Sequence, residues 1–131
     1  VSVQHPGVAE WEARLKAVFD RIDDHLEEKY GTRYPLHPNR ASRGQTSNKE
    51  QDGLFDVGAA FTAGFGSERG RGYVVETRMV TLDPVPDQVR SEIHREVVTM
   101  LANELSREFP ERELSVEQDG DIFKITGDLS L

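Results

Sequence analysis

The chain is predicted to fold as an α+β two-layer sandwich, an antiparallel four-stranded sheet with two helices on one face, in the order αββαββ. Three patterns predict it. Two long segments each carry a single apolar stripe at helical spacing. A third alternates large apolar and small residues over 11 positions, from Phe55 to Phe65. A short alternating pair closes the chain around an Asp-Gly turn. Helices with one apolar stripe, and strands with one apolar face, can bury both by stacking in two layers.

In the first helical segment Val8, Trp11, Leu15, Val18, Phe19, Ile22 and Leu26 recur at steps of three and four. That spacing puts them on one face, opposite Glu12, Lys16, Asp20, Asp23, Asp24 and Glu27. Tyr30 ends the helix, and Gly31 stands where a left-handed cap belongs, since glycine has no Cβ to clash. From about 32 to 53 the periodicity vanishes into a polar loop with Pro35 and Pro38. A loop this long inside a compact domain is usually either functional or disordered.

Phe55, Val57, Ala59, Phe61, Ala63 and Phe65 then alternate with Asp56, Gly58, Ala60, Thr62 and Gly64, the period of a strand. A glycine-rich connection, residues 64–72, leads to a second strand from Tyr73 to about Leu82, rich in valine and threonine. Glu76 and Arg78 share a face of it and are expected to pair on the surface. Asp83-Pro84-Val85-Pro86 introduces the second helix. Its stripe is Val89, Ile93, Val97, Met100, Leu101, Leu105 and Phe109, and Pro110 stops it. In the last hairpin Leu114 and Val116 are expected to face Ile125 and Phe123 across Asp119-Gly120. A ferredoxin-like alternative, βαββαβ, would make Val1-Ser-Val-Gln4 a first strand. Residues 1–131 read as a single α+β domain with the long loop at about 32–53.

Composition excludes several functions. With no cysteine, there is no disulfide framework, thiol nucleophile or cysteine-held metal. No apolar run approaches the roughly 18 residues of a membrane span. No leader is visible, although the chain begins at Val1 rather than Met, and a cytoplasmic setting is expected. The net charge of −8 opposes nonspecific attraction to nucleic acid or anionic membrane. Its distribution is uneven: residues 29–80 carry eight basic and five acidic side chains, between flanks of net −4 and −7.

No motif supports a cofactor or catalysis. His5, His25, His37 and His94 show no metal-ligand spacing. His94 falls within the apolar arc of the second helix and would serve as a general base only if a pocket opened beside it. Gly64, Gly66 and Gly70 miss the dinucleotide fingerprint by one place and lead into a strand rather than a helix. Ser67 lacks the flanking glycines of a nucleophile elbow. Arg71-Gly72-Tyr73 opens like the stacking strand of RNA-recognition domains, but Val75 and Arg78 replace its aromatics.

Two readings remain. The first is a non-catalytic binding or assembly module acting through a protein partner or a homodimer. Gly58, Ala60 and Thr62 make one strand face nearly bare, which lets another backbone approach closely. The second is anion or nucleic-acid binding by Arg33, Arg40, Arg43 and Lys49 of the loop, with Arg69, Arg71 and Tyr73 around the glycine-rich turn.

Overall fold

The computed structural model describes residues 6–64 and 70–130. Helix α1 spans Pro6–Tyr30 and α2 spans Asp87–Glu108. The strands are β1 (Phe55–Thr62), β2 (Gly72–Met79), β3 (Leu114–Asp119) and β4 (Ile122–Gly127). They form one antiparallel sheet in the order β1-β2-β4-β3. This is the predicted αββαββ order, with β1 on an edge. Val1–Gln4, on which the ferredoxin-like alternative depended, lie outside the described residues.

One apolar cluster joins the layers. Val18, Ile22 and Leu26 of α1, and Val97, Leu101 and Leu105 of α2, meet Phe55, Val57, Val75 and Ile125 of the sheet. Each is almost fully removed from water, worth roughly 1.5–3 kcal/mol per large side chain. Trp11 packs on Phe109 with ring centroids 4.6 Å apart, joining the start of α1 to the end of α2.

The structure corrects four details. Gly31 is not left-handed. A Cβ there would lie 2.4 Å from the Glu27 carbonyl, so close backbone approach is what calls for glycine. Helix α2 begins only after Pro86, whose extended ψ of 140° places it at the cap rather than in the first turn. The last hairpin turns at Gly120-Asp121, closed by the Asp119–Ile122 pair, so Val116 faces Ile125 and Leu114 faces Gly127. The two-residue shift keeps every side chain on its expected face. Arg78 pairs not with Glu76 but with Asp56 directly opposite on β1, at 2.9 Å.

The polar loop is ordered by two arginines. Arg40 donates to the backbone carbonyls of Glu50, Asp52, Gly53 and Phe55. Arg43 reaches Asp23 and Asp24 of α1 and Asp52 of the loop itself. A parallel bridge between Ala41 and Asp52 and a 3-10 turn at Lys49–Gln51 complete the segment and lay it beside β1. Gly53, at φ +73°, turns the chain into β1 under the Glu27 carboxylate, 2.4 Å from where a Cβ would stand. Gly53→Ala is expected to cost about 2 kcal/mol, from left-handed strain plus the displaced Glu27 hydrogen bond to the Phe55 N–H. An unchanged urea midpoint would show that the loop can enter β1 by another path.

Candidate partner-binding edge

In an antiparallel ladder a residue's N–H and C=O point the same way, and successive residues alternate sides. At the start of β1 the Phe55 N–H donates to Glu27 Oε1 at 2.8 Å, and the Phe55 carbonyl accepts from Arg40 at 2.9 Å. Both groups therefore point away from β2. Leu54, one residue earlier, accepts from the Val80 N–H on the β2 side. Alternation then aims the backbone groups of Val57, Ala59 and Phe61 at the free edge, and those of Asp56, Gly58, Ala60 and Thr62 at β2. Val57 is fully buried, so the accessible edge is Ala59 and Phe61.

Two hollows of about 280 Å³ each flank this edge, one on each face of the sheet. On the helix side Leu15, Phe19, Val57 and Tyr73 form an apolar floor with Glu12, Lys16 and Glu50 at the rim. Phe61 stands at its end, 58% exposed, in edge contact with Tyr73 at 5.5 Å. On the other face the hollow is lined by Gly58, Ala60, Asp56, Glu76, Arg78 and again Glu50. A Cβ built on Gly58 meets nothing within 4 Å, so this face is open. The helices cover the Phe55 and Val57 side, leaving Gly58, Ala60 and Thr62 facing away from them.

Beside the edge lies a buried charge cluster. Asp23 is 1% exposed, and Arg43 Nη1 sits 2.7 Å from its Oδ1. The contact is one of charge, because neither Asp23 oxygen receives an aligned hydrogen bond. Burial pushes the Asp23 carboxyl up to about 7 despite Arg43, with Glu27 and Asp24 adding repulsion. Asp52 is buried as well, yet its carboxyl is lowered. Burial there is outweighed by the Thr46 and Gly44 donors and by Arg43. The same desolvation thus has opposite outcomes according to who donates.

The basic residues proposed for anion binding do not gather in one open patch. Arg40 and Arg43 hold the loop, and Lys49 binds Asp24 at 2.5 Å. Arg33 lies over the Tyr30 ring, 4.8 Å from its centroid. Tyr73 packs between Trp11 and Phe61. Arg71 is exposed, and Arg69 lies outside the described residues. His94 is half-buried, accompanied by the Thr77 hydroxyl at 3.1 Å and the Phe123 ring. Burial lowers its pKa, so the imidazole is neutral at pH 7. It lines a shallow hollow with Thr77, Met79, Arg90, Ser91 and Ile93, with no carboxylate to orient it as a base. Among the described residues no group of three or more potential ligands is placed to hold a metal, and no helix is long and apolar enough to cross a membrane.

Sequence reasoning missed Lys124. It lies on the open face of β4, 1% exposed, with Nζ 2.7 Å from both Asp119 Oδ2 and the Gly70 carbonyl. Gly72 leaves room for its stem, since a Cβ there would stand 2.7 Å from Lys124 Cδ. The signal available was weak: a lysine between two core residues, five positions after an aspartate in the same hairpin.

Fold and edge together define a small α+β protein in which the β1 edge lies beside an ordered, charge-clamped loop. A family model described as "Uncharacterised protein" matches residues 6–127, and the chain belongs to that family. It is 38% identical over 106 residues to an "Uncharacterized protein" of Borreliella burgdorferi, covering 81% of this chain and 83% of that one. No solved structure matches.

Proposed function

We propose that the protein is a non-catalytic binding or assembly module that engages a protein partner, or another copy of itself, through the β1 edge and the adjoining Gly58, Ala60 and Thr62 face. The supporting observation is the edge itself. Among the described residues the edge-facing backbone groups of Ala59 and Phe61 have no partner; they lie between two hollows, and a large aromatic ring stands exposed beside them. Proteins normally blunt such edges with a covering loop, a charge or a proline, because a free edge is a template for another strand. Here the loop covers only the start of β1, through Arg40 and Glu27 at Phe55.

The test is site-specific photo-crosslinking in the cells that make the protein. A benzophenone side chain replacing Ala60 is expected to give a discrete covalent adduct, while the same group replacing exposed Thr99 of α2 gives none. No adduct at position 60, together with concentration-independent monomer in light scattering, would count against the reading.

A further inference from the structure

Resting on that reading, we propose that the occupant of the β1 edge is an extended segment of another protein, alternating apolar and basic side chains, rather than a second copy of this chain. A strand laid along Ala59 and Phe61 sends successive side chains to opposite faces of the sheet. One set drops into the apolar hollow floored by Leu15, Phe19 and Val57. The next drops into the polar hollow against Glu76, Asp56 and Glu50. Strand addition works this way: main-chain hydrogen bonds hold the guest, and alternating pockets select its residues.

Charge chooses between the possible guests. The two hollows hold four carboxylates, Glu12, Glu50, Asp56 and Glu76, against two bases, Lys16 and Arg78. Both bases are already committed, Lys16 to Asp20 at 3.0 Å and more loosely to Glu50 at 3.8 Å, and Arg78 to Asp56 at 2.9 Å, which leaves Glu12 and Glu76 as the uncompensated carboxylates. Glu12 and Glu76 have no ion-pair partner among the described residues. A lysine or arginine of the guest, pointing into the open-face hollow, meets Glu76 and Glu50. Two copies paired edge to edge would instead bring the same carboxylates together, on chains that each carry −8 overall. Like charges across strands are destabilising, so self-pairing is the disfavoured use of this edge.

The experiment uses ¹⁵N-labelled full-length protein and an acetylated, amidated heptapeptide of alternating lysine and valine. Controls are a glutamate–valine peptide of the same pattern and a lysine–glycine peptide. The lysine–valine peptide is expected to shift β1 resonances saturably and to slow exchange of the Ala59 and Phe61 amides on the order of tenfold. Asp56, Gly58 and Ala60, already paired with β2, change little. Ala59→Pro removes an edge N–H that has no acceptor among the described residues and should abolish binding. Glu76→Lys, at a side chain with no ion-pair partner among the described residues, should weaken it about fivefold.

Equal binding of the glutamate–valine peptide would overturn the charge selection while leaving an open edge that binds strands. Protection of the same amides by raising protein concentration, with no peptide effect, would make the guest a second copy. That outcome overturns this inference and keeps the assembly reading. Binding unaffected by both variants would place the peptide elsewhere and overturn the inference. Silence toward every peptide, in a protein that stays monomeric and gives no adduct at position 60, would remove both.

Discussion

Arg43→Ala is expected to lower the unfolding free energy by roughly 3–5 kcal/mol, the scale set by stripping one partner from a buried ion cluster. The guanidinium is the shared counter-charge of three carboxylates, at 2.7 Å from Asp23, 2.7 Å from Asp24 and 3.1 Å from Asp52. Asp23 and Asp52 are each 1% exposed and cannot recover water when it leaves. The Arg43 side chain also donates to the Lys49 carbonyl, so its loss loosens the 3-10 turn against β1. Arg43→Lys should recover only part of the loss, because one ammonium cannot span three acceptors as a planar fork does. Urea denaturation at pH 7.5 measures both. A loss under about 1 kcal/mol, the scale of an exposed pair, would mean that water already reaches the cluster.

The second large effect depends on pH and runs in the opposite direction. Asp23→Asn is expected to stabilise the protein by about 2 kcal/mol at pH 8, discounting for solvent that reaches the cluster past Arg43, and to change it little near pH 4. Burial raises the folded-state pKa of Asp23 from 3.8 to about 7. Below 3.8 the carboxyl is protonated in both folded and unfolded chains and contributes no difference. Between those limits the unfolded chain ionises freely while the folded one keeps its proton, so the contribution of Asp23 to stability falls as pH rises, levelling above about 7. Asparagine does not titrate and escapes that fall. Denaturation midpoints of the two proteins across pH 4–8 isolate this group, since every other carboxylate is shared. Should the asparagine variant be less stable at pH 8, Asp23 is ionised there and its attraction to Arg43 outweighs burial.

Both experiments concern a loop that the sequence could outline but not interpret. The absence of periodicity between Gly31 and Leu54 marked it as irregular. Nothing in the local pattern showed that Arg43 would return to Asp24, 19 residues earlier on α1. Arg40, Arg43 and Lys49 therefore read as free cations available to a ligand, when each has its acceptors within the fold. The helices were legible because an apolar stripe at steps of three and four has few other uses. Strand alternation likewise gave the face on which Gly58, Ala60 and Thr62 lie. Whether β1 stands at an edge or in the middle was not legible, because that depends on the second hairpin docking on β2 rather than on β1. The hairpin register slipped by two for a related reason. Asp119-Gly120 is a good turn sequence, but Gly120, at φ +63°, is the first central residue of the turn rather than the second.

Amide-resolved hydrogen exchange on the isolated protein at low concentration reads the β1 edge residue by residue. An open β1 edge predicts an alternating record, with slow exchange at Gly58 and Ala60, whose N–H groups point at β2. In that record the Ala59 and Phe61 amides exchange at least tenfold faster than those of Gly58 and Ala60, on the order of the gap between paired and unpaired amides. Uniformly slow exchange from Asp56 to Thr62 in dilute protein would mean that the edge is already covered, and would contradict an open edge.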